Sequence, residues 1–380
     1  MINLSKFTIK QILADHWNFF VSLGYKIRPC VVKNVHKVIN CGDPSLGHAI
    51  FHCDKCDSFK YIPFRCKSRF CNTCGANYVN ERAKNISFKL VNCKHRHLVF
   101  TIAKELRIFF LANRKLLNLL FKATRDTLMH WFTKINKSEN FIPGFISTLH
   151  TFGRDLQWNP HIHLIITEGA CGNRTTWRKI THFPYKMLRK RYQATLLHLL
   201  HKALGSSFYH LKTKLFKTYT NGFYVYAKSD NKITKKSIDY IVRYAGKPAM
   251  AQARILNYNG KYVTFYYDRH QDNKRITETI DAISFIKRLL PHIHDEQFKT
   301  VRYYGIYAKK HKQSSKLILL LTPTKRKYLK SLSNFRMRYF TSFGVDPLRC
   351  TCGNSMKLVD FFIPKHSPIA YHPPPSYNYS

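Results

Sequence analysis

The sequence predicts an α+β protein. Its expected core is an antiparallel four-stranded sheet in the order βαββαβ, with its helices on one face, preceded by a cysteine-rich segment. Three observations predict it. Four short runs, at 97–103, 145–152, 161–167 and 223–227, have the β-branched and aromatic composition of strands. Between the first two, Lys104 to about Phe132 carries leucines and phenylalanines at helical spacing, and a basic helix covers Tyr185 to Leu204 before the fourth. That alternation is the split βαβ plan. Finally, Cys41, His48, Cys53, Cys56, Cys66, Cys71 and Cys74 crowd into one short segment at spacings that suit metal.

At 380 residues the chain can bury a full core and is expected to hold two or three domains. It carries 64 Lys and Arg against 20 Asp and Glu, a net charge of +44. So large an excess costs self-repulsion unless a polyanion neutralises it, and nucleic acid is the usual partner. A membrane surface is the rival reading. Against it, no run approaches the ~18 apolar residues of a spanning helix, no signal-peptide pattern opens the chain, and the charge is spread along the whole length. The expectation is a cytoplasmic nucleic-acid protein with no membrane partner. Its eleven cysteines are then reduced, and paired spacing reads as zinc rather than disulfide.

Taken in order, residues 7–23 predict a packing helix, with Ile9, Ile12, Leu13, Trp17 and Phe20 near one face. In the segment that follows, Cys53-x-x-Cys56 and Cys71-x-x-Cys74 suit two knuckles clamping one tetrahedral Zn²⁺. Cys41, His48 and Cys66 are left over to complete a second site. So short a segment lacks apolar residues for its own core, so zinc would supply folding energy. Arg65, Lys67, Arg69 and Arg82 flank it and suit phosphate contacts.

The chemistry centres on residues 145–167. Pro160 is expected to open the strand that carries His161-Ile-His163. Side chains at i and i+2 share a strand face, so the two imidazoles point one way while Ile162, Leu164 and Ile166 cover the other. His150, in the preceding strand, can come level with them across a loop at Gly153–Asn159. Three imidazoles make a metal site with open positions. The bland alternative is three histidines exposed on a basic surface. On the sheet plan they sit on an inner strand facing away from the helices, on an open face where nucleic acid can lie.

Gly169 to Pro184 reads as a loop. Thr234 to Ala245 predicts a helix stopped by Gly246, with Ile238, Ile241, Val242 and Ala245 on one stripe. Tyr240 and Tyr244 fall opposite that stripe, one turn apart, with Arg243 on their side. Asn259-Gly260 predicts a hairpin between 255–258 and 262–267. Residues 281–307 predict a short helix and a Thr-Val-Arg-Tyr-Tyr-Gly strand, and Lys309 to Lys330 a basic helix and surface. Cys350-x-Cys352 reads as half a knuckle without its partner pair, and a proline- and tyrosine-rich tail follows.

A metal held by three imidazoles can draw charge off a phosphate, and a tyrosine hydroxyl can then attack phosphorus. These residues, in this order, resemble the rolling-circle insertion-sequence transposases of the IS-ninety-one type, two-tyrosine HUH enzymes. The resemblance runs from Cys41-Gly-Asp-Pro-Ser-Leu-Gly-His48 through Cys74, His150-Thr-Phe-Gly, Asn159-Pro-His-Ile-His163 and Gly222-Phe-Tyr-Val-Tyr-Ala-Lys228. It continues in Tyr240-Ile-Val-Arg-Tyr244, Val301-Arg-Tyr-Tyr-Gly305 and Asp346-Pro-Leu-Arg-Cys350. It implies that His161 and His163 ligate the catalytic metal, Mg²⁺ or Mn²⁺, with His150 at the spacing of the third ligand in related relaxases. It also implies that Tyr240 and Tyr244 are the nucleophiles acting on single-stranded DNA at transposon ends and target, with no nucleotide cofactor. Phe70 and Cys350-x-Cys352 depart from the family's zinc pattern. The expected organisation is an N-terminal helix (1–35), a zinc-binding DNA-binding domain (36–90), an HUH catalytic domain (91–275, tyrosine helix 234–246), a basic region (276–362) and a disordered tail (363–380). A plasmid relaxase or replication initiator of the same chemistry, or a non-catalytic zinc-dependent DNA-binding regulator, are the competing readings.

Overall fold

Alternating side-chain patterns build three antiparallel sheets, seen with their helices in a computed structural model. It describes residues 7–135, 139–227, 249–269, 272–308, 321–325, 327, 336–337, 340, 346 and 348–363. The expected tyrosine helix with Tyr240, Arg243 and Tyr244, most of the lysine-rich stretch and the tail lie outside the described residues.

The chain opens with helices α1 (Ile9–Ser22) and α2 (Pro29–Ile39), then the ribbon strands β1 (His48–Cys53) and β2 (Ser58–Pro63), and helix α3 (Asn72–Lys89). Next come β3 (His95–Phe100), α4 (Arg107–Ala112), α5 (Leu117–Lys134), β4 (Ile142–Phe152), β5 (Trp158–Cys171) and the short β6 (Arg178–Lys179). Helices α6 (Tyr185–Leu204) and α7 (Tyr209–Thr218) lead to β7 (Val225–Ala227). The described remainder comprises β8 (Ile255–Tyr258), β9 (Tyr262–Asp268), β10 (Arg275–Asp281), α8 (Ala282–Leu289), β11 (Val301–Gly305) and β12 (Lys357–Phe362).

The central sheet has the order β11-β4-β5-β3-β7, every neighbour antiparallel, with β6 hydrogen-bonded to the far end of β5. The class is therefore α+β, and the expected strand–helix–hairpin–helix–strand succession is present, with β11 as a further strand beside β4. One face of this sheet is the main core. Leu98, Phe100, Phe145, Leu149, Ile162, Leu164 and Ile166 pack there against Leu120, Phe121 and Leu128 of α5 and Leu196, Leu197 and Leu200 of α6. Each such aliphatic side chain contributes about 1.5–3 kcal/mol when fully buried.

Several local expectations are corrected. The single helix from Lys104 is broken at Asn113, whose extended backbone (φ −121°, ψ 96°) and side chain, accepting from the Lys115 N–H, restart it as a new turn. Residues 169–184 are not wholly a loop, because β5 runs on to Cys171 and turns back through β6. Nor do the helices keep to one face. Ile146 and Ile165 are apolar and lie on the histidine side, so they need cover, and Ala83 and Ile86 of α3 and Leu90 just after it supply it with Val301 and Tyr307. The open face expected of the sheet is thus closed at one end.

A second core joins α1 and α2 to the predicted hairpin β8–β9, to β10 and to α8, through Ile12, Leu13, Trp17, Val35, Val263, Phe265 and Phe285. The third sheet, β12-β1-β2, is a ribbon whose outer strands are largely solvent-exposed. Among the described residues, no helix is long and apolar enough to cross a membrane.

Candidate metal centres

Strand pairing brings the three expected histidines together. His150 on β4 stands directly opposite His161 on β5, and the register breaks just beyond, between His150 and Phe152. Pro160 lies in that irregular stretch rather than at the start of β5, which begins at Trp158. A residue lacking an N–H fits a bulge, where no ladder bond is demanded. The connecting turn is tightened by Gly153 N–H to Gln157 O (2.9 Å).

The ligand atoms of His150, His161 and His163 all lie within 4.8 Å of one another. His161 Nε2 and His163 Nε2 are 2.9 Å apart, and the His150 and His163 ring centroids 4.4 Å. Two imidazole nitrogens sharing an ion at ~2.0–2.1 Å stand about 3.0–3.4 Å apart, so the observed spacing fits a common ligand. The tautomers are arranged for the same purpose. Asn159 O can only accept, so His161 Nδ1 carries the proton of their 2.7 Å bond and its Nε2 keeps a lone pair. His163 Nδ1 is engaged by His97 Nε2 at 3.0 Å, leaving Nε2 turned toward His161. Burial pushes His161 and His97 down to about 4 and holds His163 well below the ordinary imidazole range. The rings are therefore neutral near pH 7, the form in which imidazole binds metal.

His97 is a site residue that sequence reasoning missed. It opens an apolar run, and with His95 it repeats the His-x-His spacing of His161 and His163, a signal that could have found it; its contact with His163 comes from the β3–β5 pairing. Beside His150 lies a cavity of about 330 Å³, lined also by Cys66, Lys67, Arg69, Ala249 and His294.

The cysteines form two quartets, not the expected one. Cys53 and Cys56 do not join Cys71 and Cys74. Cys41, Cys66, Cys71 and Cys74 make one cluster, with Cys41–Cys74 and Cys66–Cys74 sulfurs 3.6 Å apart and Cys71–Cys41 3.7 Å. Cys53 and Cys56 meet Cys352 and Cys350, at 3.5 and 3.4 Å. A tetrahedral ion with ~2.3 Å bonds to sulfur holds its thiolates about 3.8 Å apart, whereas a disulfide holds them at ~2.05 Å, so both quartets fit zinc. The Cys352 backbone N–H and the Cys56 thiol, aimed at Cys350 Sγ, hold Cys350 down to about 6. Cys350-x-Cys352 is thus the missing partner pair, brought to β1 by the pairing of β12. His48 belongs to neither quartet. Its Nδ1 bonds Pro44 O at 2.9 Å and its ring packs between Tyr61 and Phe362.

Of the expected phosphate contacts, Arg65 and Lys67 are exposed. Arg69 is half-buried and donates to Thr300 Oγ1 and to Phe298 O, so it also ties the zinc segment to the approach of β11.

Against known proteins, residues 144–315 match a family of putative transposases, and residues 12–102 match a transposase zinc-binding domain. The chain is 27% identical over 355 residues to the transposase for insertion sequence element IS801 of Pseudomonas savastanoi pv. phaseolicola, covering 87% of this chain and 83% of that one. It is 25% identical over 293 residues to the putative transposase y4qJ of Sinorhizobium fredii, covering 72% of this chain and 73% of the relative. No solved structure matches the chain.

Proposed function

The chain belongs to the insertion-sequence transposases of the IS-ninety-one type, and on that premise we propose that it nicks and rejoins single-stranded DNA through a 5′-phosphotyrosine. His150, His161 and His163 hold Mg²⁺ or Mn²⁺, and Tyr240 and Tyr244 are the nucleophiles. The observation that carries this reading is the convergence of three imidazoles on one sheet face. Two of them have their Nδ1 atoms engaged elsewhere, which turns Nε2 inward. The sheet order, with the histidine strand inside it, supports reading the fold as HUH-type.

A divalent ion there would accept the non-bridging oxygens of the scissile phosphate and draw charge off phosphorus. The tyrosine's phenolic oxygen forms a bond to phosphorus as the P–O3′ bond breaks. The phenol gives up its proton and the departing 3′ oxygen takes one. Bond energy is kept in the phosphotyrosine, so rejoining is the reverse attack by a 3′ hydroxyl and needs no nucleotide. A phenol ionises near ~10, so the surrounding positive charge assists the attack.

The placement of the segment's ends supports tyrosine delivery. Before it, Ala227 pairs with Leu98, next to His97. After it, Ala249 lines the cavity beside His150. The described residues on either side of 228–248 thus both lie near the histidines.

The test is cleavage of single-stranded oligonucleotides bearing the element's ends, with Mg²⁺ or Mn²⁺. Replacing Tyr240 and Tyr244 together by Phe should leave no covalent adduct, and His161→Ala with His163→Ala should abolish cleavage with the fold intact. An adduct mapped by mass spectrometry to a residue outside 234–246, or cleavage that survives loss of both histidines, overturns the reading.

A further inference from the structure

Two exposed tyrosines share the histidine side of the central sheet. Among the described residues strand β7 is an edge, and Tyr226 pairs with Val99, which in turn pairs with His163. Directly opposed residues of an antiparallel pair share a face, so Tyr226, Val99 and His163 form one cross-strand row. Val225, between the two tyrosines, is fully buried in the helix-side core, so alternation sends Tyr224 and Tyr226 to the opposite side. The two rings stack at 6.1 Å with 19° between planes, yet remain 52% and 40% exposed. Tyrosines used for packing would be covered.

The position is built rather than accidental. Gly222 has φ +81°, and a Cβ there would fall 2.3 Å from the Arg189 carbonyl carbon, so the turn before β7 is pressed against α6. From α6, Arg189 Nε donates to Val225 O at 3.3 Å and its guanidinium covers the Tyr224 ring at 4.7 Å. Tyr224, Tyr226, Arg189, Lys186 and Asn221 line an open cleft of about 520 Å³, and none of its described lining residues is acidic. Two strand spacings, on the order of 10 Å, separate this edge from the histidine strand.

We propose that Tyr224 and Tyr226 are a stacking platform for the bases of a single-stranded nucleic acid whose scissile phosphate lies at the histidine triad. The occupant follows from the chemistry. Aromatic faces beside cationic side chains fit unpaired bases joined by phosphates, whereas a duplex hides its base faces within its own stack. The proposal rests on the nicking reading for the position of the phosphate, but not for the platform itself.

The experiment uses the full chain with zinc bound and no added Mg²⁺ or Mn²⁺, so that binding is read without cleavage. The probe is a single-stranded oligonucleotide carrying 2-aminopurine, whose fluorescence is quenched when it stacks, with a fluorescein-labelled duplex of the same sequence as control. Tyr224→Ala and Tyr226→Ala should each weaken single-strand binding, by about five- to hundredfold per ring, and relieve the quenching. Tyr→Phe at both positions should keep affinity and quenching, and duplex binding should not change. Should the Ala variants unfold, Tyr→Leu keeps apolar bulk without a π face and should behave as Ala was expected to. Unchanged single-strand affinity and quenching, or an equal loss for duplex, overturns the proposal. Wild type that binds with quenching but never nicks would leave the platform standing and sink the nicking reading alone. If the variants bind and nick like wild type, the platform alone falls.

Discussion

The second thiolate quartet makes the most demanding prediction, because it ties Cys53 and Cys56 to residues near the other end of the chain. Strand β12 has little else to hold it. All six of its residues are exposed, so apolar burial contributes little. Lys357–Asp54 is an ion pair with both side chains more than half exposed, so solvent screens it and it contributes little. Five registered residue pairs with β1 remain, interrupted by a bulge between Ile50 and Phe51. Such pairing is marginal in water without a hydrophobic face. Structural zinc on four ligands contributes ~10–16 kcal/mol in small peptides, so the metal outweighs every other tie of this strand. Replacing Cys350 and Cys352 by Ser should therefore lower zinc from two ions per chain to one, measured by atomic emission on purified, reduced protein. Amide exchange should then lose its protection at 357–362 while the cores around α5, α6 and β5 keep theirs. Replacing Cys71 and Cys74 should remove the other ion and disturb α2 and the start of α3 instead. Two ions retained after loss of Cys350 and Cys352, or unaltered exchange in β12, would refute the argument.

Two further outcomes are expected. His97→Ala should weaken Mn²⁺ binding, followed by titration calorimetry, by about 10- to 100-fold, and His97→Gln should weaken it less because it retains a hydrogen-bonding group; equal affinities would mean that His97 does not orient His163. His95 is buried, with Nδ1 at Cys93 O (3.0 Å) and Nε2 at the Tyr307 hydroxyl (2.7 Å), and burial pushes it down to about 4. Its folded value lies below the unfolded ~6.5, so the stability it contributes is present above pH 6.5 and lost as pH falls toward 4, by at most about 3 kcal/mol. Urea midpoints between pH 7.5 and 4.5 should fall less steeply for His95→Gln than for wild type, and parallel slopes would refute the assignment.

What was legible in the sequence was what repeats at the period of one element. The two histidine strands, the basic helix from Tyr185, the Asn259-Gly260 hairpin and the Val301 strand all carry local patterns, and His161 with His163 needs only the pleat. Pairing between distant segments leaves no such mark. Cys71-x-x-Cys74 and Cys53-x-x-Cys56 look like partners because they are near in sequence. Yet Cys71 and Cys74 close on Cys41 and Cys66, and Cys53 and Cys56 on a pair nearly 300 residues away. The partner of His97 is invisible for the same reason, since His163 is brought to it by sheet register. The expectation that helices keep to one face failed at Ile146 and Ile165, whose apolar side chains face the histidine side and call in α3.

Strand β5 does two jobs with one alternation, and the first makes the second possible. Ile162, Leu164 and Ile166 are essentially fully buried against α5 and α6 and fix the register, because a one-residue slip would exchange the two faces. With the register fixed, His161 and His163 must face the other way, and β4 brings His150 opposite His161. The ring of His150 is nearer the diagonal His163, at 4.4 Å, than the directly paired His161, at 5.6 Å. Diagonal neighbours come within reach in a twisted sheet, and here the diagonal closes the triangle. Burying three imidazoles would be costly if they were charged, but burial itself depresses the pKa of His161 and His163 and keeps them neutral. A proton therefore competes weakly for the lone pairs near pH 7, and the burial that stabilises the strand also leaves its histidines in the state a metal requires.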